Sequence, residues 1–179
     1  FRSWEKNPTL FWEMSTATSG RDGFRLHARA HYDEVIGSDF AEQLTMYADG
    51  KPVASAVFTL VGSVYTYLYG ASSYEARALM APYLVQWEGI TRGKQRGAQW
   101  YDFYGLAPLG EKTAATRHLR IDEYRYEERA KEAGYTRFKV GFGGIVVVTP
   151  GTWDMVLKPF AYFVYRTVRV VRRFAGKLR

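Results

Sequence analysis

Three β-rich runs in direct succession constrain the fold of this chain more than any other feature of its sequence. They cover residues 44–47, 53–60 and 64–69, and they are separated by Asp49-Gly50 and by Gly62-Ser63. Short glycine-containing connections are typical of neighbouring antiparallel strands, because glycine adopts the backbone angles that tight turns require. The pattern therefore predicts a three-stranded antiparallel meander.

Helical patterns precede the meander. Apolar residues recur at helical spacing over residues 8–20, which predicts a helix broken at Ser19-Gly20. Residues 24–35 are predicted to form a second helical or irregular stretch.

A further helix is predicted directly after the meander. Ser72 and Glu75 have the spacing of a capping box, in which both side chains bind free backbone donors at a helix start. Proline disrupts a helix interior but suits its first turn, so the main helix is predicted from Pro82 to Arg96, with Gly97 as its stop.

The remaining elements are shorter. Residues 100–104 are predicted to be a strand buried on both sides, and residues 123–133 a helix closed by Gly134. Residues 136–140 and 145–149 are predicted to pair as a hairpin around a glycine-rich turn. The fold class is therefore α+β, and the element order resembles an acyl-CoA N-acyltransferase-like (GNAT-like) domain, with a mainly antiparallel sheet flanked by helices.

The composition restricts the chemistry. A chain of 179 residues, 47% of them hydrophobic, is long enough for one substantial core. The absence of cysteine excludes disulfides, a thiolate nucleophile and a cysteine zinc site. No apolar run approaches the ~20 residues that cross a bilayer, and no signal-peptide pattern is present. Because the sequence begins at Phe1 without a methionine, we expect a fragment of a longer, cytoplasmic protein.

Four motifs occur in a fixed order between Tyr65 and Gly144. They are Tyr67-Leu68-Tyr69-Gly70-Ala71-Ser72-Ser73, Ala81-Pro82-Tyr83-Leu84-Val85-Gln86-Trp87-Glu88, Tyr101-Asp102-Phe103-Tyr104-Gly105 and Phe138-Lys139-Val140-Gly141-Phe142-Gly143-Gly144. With the upstream block Arg21-Asp22-Gly23-Phe24 and His27, they resemble the second domain of the Fem family of tRNA-dependent peptidoglycan aminoacyltransferases. The resemblance implies that residues 1–157 form this domain and that a similar preceding domain is missing from the chain.

Lys139 is the candidate catalytic residue. A lysine at a strand end beside a glycine-rich turn could stabilise a developing oxyanion, and the alternative is a solvated strand lysine. The family places the lysine of a phenylalanine-lysine pair at its substrate site, and Phe138 and Lys139 match that pair. Many members carry a second basic residue next, where this chain has Val140.

Tyr101 and Asp102 follow Trp100 into the predicted strand. The tyrosine hydroxyl either anchors a hydrogen bond in the core or faces a ligand, and the resemblance implies contact with the muramyl-peptide precursor. Asp102 could orient a neighbour or act as a base. Strand alternation would point it away from Tyr101, which favours a structural role.

Arg77 and Tyr83 flank the start of the predicted main helix. Free amides at helix starts bind anions, and the resemblance implies that Arg77 holds the diphosphate of the precursor, the alternative being a surface arginine. Residues 77–82 contain no glycine that would let backbone amides converge on a pyrophosphate, which argues against acetyl-CoA as the donor.

Metal and hydrolase chemistry receive little support. His27 and His31 have helical i, i+4 spacing, but no glutamate follows the first and no third ligand is near, so no metal site is predicted. No serine, histidine and acid combination has credible triad spacing.

Residues 158–179 are predicted to form a basic amphipathic helix. All 18 acidic residues precede Lys158, so the net charge of +7 lies in this segment. The predicted apolar stripe comprises Phe160, Phe163, Val164, Val168, Val171, Phe174, Ala175 and Leu178. The basic side chains largely opposite are Arg166, Arg169, Arg173 and Lys177. The helix could dock on the missing first domain, lie on an anionic membrane or bind tRNA phosphates.

The resemblance implies a reaction in bacterial cell-wall synthesis. An amino acid would pass from aminoacyl-tRNA to the stem peptide of UDP-MurNAc-pentapeptide or lipid II, without a further cofactor. Two alternatives remain: an acyl-CoA-dependent N-acyltransferase of the same fold and a non-catalytic binding module.

Overall fold

The structure is a computed structural model that describes residues 1–110, 118–130, 132–149 and 153–175. The chain divides into two compact units. The first comprises Phe1–Ala107 with Lys131–Lys139, and the second comprises Pro108–Ala130 with Val140–Arg179.

A five-stranded sheet forms the centre of the first unit. Its strands are β1 (Arg2–Ser3), β2 (Ala41–Ala48), β3 (Lys51–Val61), β4 (Val64–Ser72) and β5 (Trp100–Asp102), in this spatial order. All neighbours pair antiparallel except β4 and β5, which are parallel. The predicted meander is therefore confirmed as β2–β3–β4.

The turns of the meander explain why it was predictable. Asp49 and Gly50 both have positive φ, at 49° and 74°, as a two-residue hairpin turn with a right-handed strand twist requires. Gly62 also lies at positive φ, 58°, in the second turn. These local preferences favour the two tight turns that join the three strands in chain order.

Helices cover both faces of this sheet. The helices α1 (Pro8–Asp22) and α2 (Arg29–Gly37) pack on one face, where Phe11, Ile36 and Val57 are buried together. The helix α3 (Ala81–Gln95) packs on the other face, around Phe58 and its neighbours. Successive strand residues point to opposite faces, so Val57 and Phe58 serve different cores. Full burial of such a side chain contributes about 1.5–3 kcal/mol to stability.

The ends of these helices follow local chemistry. Asn7 caps α1 by accepting a hydrogen bond from the Leu10 amide, and Gly23 ends it in the left-handed conformation. The break predicted at Ser19-Gly20 is therefore wrong, because the helix continues to Asp22. The predicted helix from Pro82 to Arg96 is confirmed as α3 to within one residue at each end.

Strand β4 contains an irregularity. Val57 pairs with Tyr69 while Phe58 pairs with Tyr67, so one extra residue, Leu68, interrupts the register. Tyr67 thereby joins Phe58 in the core under α3, whereas Tyr69 packs with Val57 under α1 and α2. The extra residue directs these two tyrosines to opposite faces of the sheet.

Two predictions beside the sheet are wrong. Ser72 ends β4 and caps no helix, because the next helical residues are the 3₁₀ turn Arg77–Leu79, which is preceded by Ala76 as its cap. Strand β5 is not buried on both sides, since 58% of Trp100 is exposed.

The last third of the chain departs most from expectation. The predicted helix over residues 123–133 is wrong, because residues 123–130 hold a turn and an isolated bridge between Leu109 and Tyr126. The predicted hairpin is also wrong. Its first arm is helix α4 (Ala133–Val140), and β7 (Ile145–Val147) pairs instead with β6 (His118–Arg120).

The second unit also contains the predicted basic helix. Helix α5 runs over Pro159–Ala175 and exposes Phe160, Phe163 and Val171. Side chains beyond Val171, including Phe174, Ala175, Leu178, Arg173 and Lys177, lie outside the described residues. No helix within the described ranges is both long and apolar enough to traverse a bilayer.

Candidate functional site

The candidate site lies in the first unit, where the ladder between β4 and β5 ends. The two strands pair in parallel from Val64 opposite Trp100 to Thr66 opposite Asp102. Strand β4 then continues to Ser72, whereas the chain after Asp102 leaves the sheet.

A tight turn follows β5 directly. One carboxylate oxygen of Asp102 accepts a hydrogen bond from the Tyr104 backbone amide at 2.8 Å, and Tyr104 has a φ of 64°. Left-handed backbone is unfavourable for a residue with a bulky side chain, so this conformation depends on its surroundings. The turn places the Gly105 carbonyl within reach of helix α4.

Lys139 on α4 is the charged residue of this site. Its ammonium donates a hydrogen bond to the Gly105 carbonyl at 2.7 Å, and only 9% of the residue is exposed. The nitrogen lies 4.9 Å from the ring centre of Tyr135 and 5.9 Å from that of Tyr67. Both aromatic faces are negative in their electrostatic potential, so they favour a cation at this position.

Burial dominates the titration of this amine. Removal from water disfavours the charged form and lowers the pKa of Lys139 to about 8, while the Asp102 carboxylate raises it. The amine is therefore present in both protonation states near neutral pH. Such an amine can donate hydrogen bonds to a developing anion and can also exchange a proton.

The surroundings of Lys139 differ from the sequence prediction. It was expected at the end of a strand, or in solvent, and both expectations are wrong because the residue lies on a helix and is buried. The expected glycine turn does follow the helix, with Gly143 and Gly144 at positive φ. Thr136, one turn earlier on α4, accepts a hydrogen bond from the Ala107 amide at 2.8 Å. This contact ties the helix to the segment that follows β5.

Phe138 and Tyr83 are brought together by α4 and α3. Their rings meet edge to face with centres 4.8 Å apart, and 45% of Tyr83 is exposed. Phe138 directly precedes Lys139 in sequence, and Tyr83 comes from α3. An exposed aromatic edge of this kind suits contact with an organic substrate.

The Tyr101 hydroxyl is engaged inside the core. It donates a hydrogen bond to the side-chain oxygen of Gln86 on α3 at 2.6 Å, and burial raises its pKa. The amide nitrogen of Gln86 is buried, with no hydrogen-bond partner among the described residues. The geometry supports the core interpretation, and contact of Tyr101 with a substrate stays a prediction.

Arg77 belongs to a different surface. Its guanidinium lies over the Tyr74 ring at 4.2 Å and donates to the Tyr74 carbonyl. Tyr74 also borders a cleft of about 430 Å³ beside Arg21 and Met14 on α1. Across the part of the chain that the structure describes, no contact joins Arg77 to Lys139, so its proposed role with a diphosphate stays a prediction.

The two histidines four residues apart form an aromatic cluster. The ring centres of His27 and His31 are 4.6 Å apart, and His31 Nε2 lies 2.9 Å from the Tyr69 hydroxyl. Within the described ranges, no group of three or more histidine, cysteine, aspartate or glutamate residues could hold a metal ion.

The sequence did not predict that four particular groups would form the surroundings of Lys139. Tyr67, Tyr135 and the Gly105 carbonyl surround the amine, and Asp102 holds the turn that carries this carbonyl. Three of them lie within quoted sequence motifs, which was the available signal, but nothing in the motifs indicated that α4 would bring Lys139 to them.

Comparison with known proteins gives consistent results. FemA of Staphylococcus epidermidis is 25% identical over 122 residues, which are 68% of this chain and 25% of that protein. FemA of Staphylococcus aureus strain MW2 is 23% identical over 169 residues, 94% of this chain and 35% of that protein. The chain thus spans about a quarter to a third of the length of these curated relatives.

Solved structures show the same fold. A crystal structure of FemX matches with a TM-score of 0.63 at 17% identity, covering 82% of this chain and 51% of that one. A ribosomal-protein-alanine N-acetyltransferase from Brucella melitensis matches with a TM-score of 0.54 at 10% identity, covering 87% and 98%. The fold is therefore GNAT-like, as predicted.

A family model assigns the chain more directly. The model of the FemAB family matches residues 37–169, which include β2 to β5, α3 and the Lys139 site. This match covers most of the chain, and the chain belongs to the FemAB family.

Proposed function

We propose that the chain is the second domain of an aminoacyltransferase that builds interpeptide bridges in bacterial peptidoglycan. The protein transfers an amino acid from aminoacyl-tRNA to a side-chain amine in the stem peptide of a cell-wall precursor. The observation that carries this proposal is the buried amine of Lys139, whose pKa is lowered to about 8, in a chain of the FemAB family. The relatives named FemA, described as aminoacyltransferases, support it.

The chemistry replaces an ester with an amide. The neutral amine of the stem peptide attacks the ester carbonyl of aminoacyl-tRNA, and negative charge develops on the carbonyl oxygen. Collapse of the tetrahedral intermediate releases the ribose hydroxyl of the tRNA, which takes up the proton that the amine loses. Because the ester is already activated, alignment and charge stabilisation are the main tasks of the protein, and no cofactor beyond aminoacyl-tRNA is needed.

Lys139 stabilises the oxyanion in this proposal. One of its N–H groups binds the Gly105 carbonyl, which fixes the direction of the amine and leaves two donors for the substrate. In a site shielded from water, such a donor favours the charged transition state more strongly than it would in solvent.

The remaining site residues bind the acceptor. Phe138 and Tyr83 offer an aromatic edge to the acceptor, and Tyr101 holds β5 to α3 through its hydrogen bond to Gln86. Arg77 binds the diphosphate of UDP-MurNAc-pentapeptide or of lipid II. The preceding Fem domain completes the acceptor site.

Substitution of Lys139 in the full-length protein tests this proposal. Lys139→Ala removes the donor and is expected to lower turnover by about tenfold or more, following typical losses for oxyanion stabilisers. Lys94→Ala, at an exposed position in the last turn of α3, is the matched control and should retain activity. Unchanged turnover of the Lys139 variant would reject the catalytic role.

An acyl-CoA-dependent N-acyltransferase is the second candidate, because solved acetyltransferases share the fold. Thermal-shift measurements with CoA and with UDP-MurNAc-pentapeptide separate the two. We expect stabilisation by the muramyl peptide and none by CoA, since residues 77–82 contain no glycine for a pyrophosphate loop.

Residues 158–179 act as a docking element in this proposal. The apolar stripe of α5 packs on the preceding Fem domain, and its arginines face the anionic inner surface of the cytoplasmic membrane. The exposure of Phe160, Phe163 and Val171 supports a partner for this stripe. Peripheral contact with the membrane would bring the site close to a lipid-linked acceptor.

A further inference from the structure

Asp102 links the end of β5 to the Lys139 amine. Its carboxylate accepts the hydrogen bond of the Tyr104 amide at 2.8 Å, which closes a turn of the kind that aspartate side chains favour. The next residue, Gly105, presents the carbonyl that accepts the Lys139 ammonium at 2.7 Å. The aspartate thus stands two residues before Tyr104 and three before the carbonyl that orients the amine.

The turn needs this support. Tyr104 is one of three non-glycine residues with positive φ among the described residues, and its φ is 64°. A bulky residue in left-handed backbone costs of order 1–3 kcal/mol unless the surroundings hold it. The Asp102 bond to the Tyr104 amide is a direct restraint on this conformation.

Among the described groups that face the Lys139 amine, one is charged where the amine titrates. Tyr67 faces it from β4 and Tyr135 from its own helix, and burial raises the pKa of both phenols, that of Tyr67 to about 12. Both are therefore neutral where Lys139 titrates. The Asp102 carboxylate is the charged group, among the described residues, that raises the pKa of the amine against the effect of burial.

We propose that Asp102 is a positioning residue for Lys139: it holds the turn that presents the Gly105 carbonyl, and its negative charge favours the ammonium form of the amine. This inference rests on the proposed function for its importance in the reaction, whereas the coupling between the two residues is a property of the chain itself. The protonated amine is the form that stabilises an oxyanion by charge. Loss of the aspartate charge would therefore reduce the fraction of protein molecules in which Lys139 is protonated.

Nuclear magnetic resonance tests the coupling on this chain directly. The ε-carbon resonance of Lys139, identified by its absence in Lys139→Arg, is followed during a pH titration of selectively labelled protein. We expect a midpoint near 8 in the wild type. In Asp102→Asn the amide oxygen can still accept the Tyr104 hydrogen bond, but the charge is gone. Without this charge the midpoint should fall below that of the wild type, and because Asp102 is exposed and its field is partly screened, the fall should be smaller than the effect of burial.

Control variants distinguish the loss of the Asp102 charge from a defect in folding. Asp39→Asn removes a carboxylate from an exposed loop and should leave the Lys139 midpoint unchanged. If the asparagine protein folds poorly, Asp102→Ser is a second uncharged variant whose hydroxyl can close the same turn. An unchanged midpoint in a folded uncharged variant would overturn the coupling.

Activity measurements on the full-length protein distinguish this inference from the proposed function. If both hold, the pH dependence of kcat in Asp102→Asn should shift downward with the resonance midpoint. A shifted resonance with an unmoved pH profile would retain the coupling and reject the catalytic role of Lys139. An unmoved resonance would reject the coupling, while Lys139→Ala would still decide the catalytic role.

Discussion

At the scale of single residues, the buried amine of Lys139 should cost stability. Its folded-state pKa of about 8 lies below the ordinary 10.5, so the folded protein holds the charged form less readily than the unfolded chain does. The penalty is fully present below pH 8 and disappears as the pH rises towards 10.5. Functional sites commonly carry such a cost.

Replacement of this lysine by an apolar residue of similar length is therefore expected to stabilise the protein. Lys139→Met should raise the free energy of unfolding at pH 7 by about 1 kcal/mol, or the melting temperature by about 2–4 °C. Calorimetry at pH 7 and pH 10 measures the difference, which should shrink at the higher pH. Lys94→Met on the exposed face of α3 is the control. A less stable Lys139→Met protein at pH 7 would contradict the interpretation.

Tyr101 offers a second test at this scale. Tyr101→Phe removes the hydroxyl that donates to Gln86, and the buried amide then loses its partner, at a cost of about 1–3 kcal/mol. Chemical denaturation measures this loss. Gln86→Leu in the Tyr101→Phe background should recover part of the stability, because the unpaired amide is gone. Weaker acceptor binding without a loss of stability would instead support direct contact with the substrate.

The sequence identified these residues better than their surroundings. The Phe138-Lys139 and Tyr101-Asp102 pairs were recognisable as motifs. The partners of Lys139 were not predictable, because the contact with Gly105 joins residues 34 apart in sequence. Burial of a lysine depends on such long-range packing and leaves no local pattern.

At the scale of elements, the close approach of α3 to the sheet depends on glycine. A Cβ atom at Gly89 would lie 2.5 Å from the Phe58 ring and 2.8 Å from the Tyr101 hydroxyl. Phe58 is fully buried and cannot move away without displacing its neighbours. The helix can therefore lie at this distance only without a side chain here.

Gly89→Ala is accordingly expected to destabilise the first unit by about 1–3 kcal/mol, the usual cost of overpacking. Gly20→Ala is the matched control on α1, where the added methyl group meets open space, and should stabilise by up to about 1 kcal/mol. Urea denaturation of both variants gives the comparison. If the two alanine variants are equally stable, α3 can move away from the sheet, and its close approach does not depend on Gly89.

The elements were predictable where local signals sufficed. The meander and α3 follow from turn glycines and from proline at a helix start. Residues 136–140 were assigned to a strand, and Thr136, Phe138 and Val140 do favour β-structure. They form α4 instead, and the contacts of Thr136 with Ala107 and of Lys139 with Gly105 join this helix to a distant segment. Tertiary contacts thus override the local preference.

At the scale of the whole molecule, helix α5 combines a high positive charge with an exposed apolar face. The net charge of +7 resides in residues 158–179, and the apolar side chains described on α5 are exposed. The chain covers only a quarter to a third of its FemA relatives, and the preceding Fem domain of the proposal above could cover the stripe. In docking, the apolar side chains of this helix contact protein, whereas in membrane binding they contact lipid.

Vesicle-binding measurements distinguish these two alternatives. The isolated chain should bind vesicles of anionic phosphatidylglycerol, and added salt should weaken this binding because charges near the surface are screened. Neutral phosphatidylcholine vesicles should bind less. Phe163→Ser should weaken binding by removing apolar contact, whereas Arg166→Glu combined with Arg169→Glu should remove the preference for anionic lipid. Co-sedimentation measures each variant.

The full-length protein decides between the two partners of the stripe. If the apolar side chains of α5 dock on the preceding domain, the full-length protein should bind vesicles more weakly than the isolated chain. The Phe163→Ser substitution should then reduce vesicle binding less in the full-length protein than in the isolated chain. Its arginines would still give a salt-sensitive preference for anionic lipid. Equal sensitivity of both proteins to Phe163→Ser would place the stripe on the membrane. If the chain does not bind anionic vesicles at all, docking alone explains the exposed face.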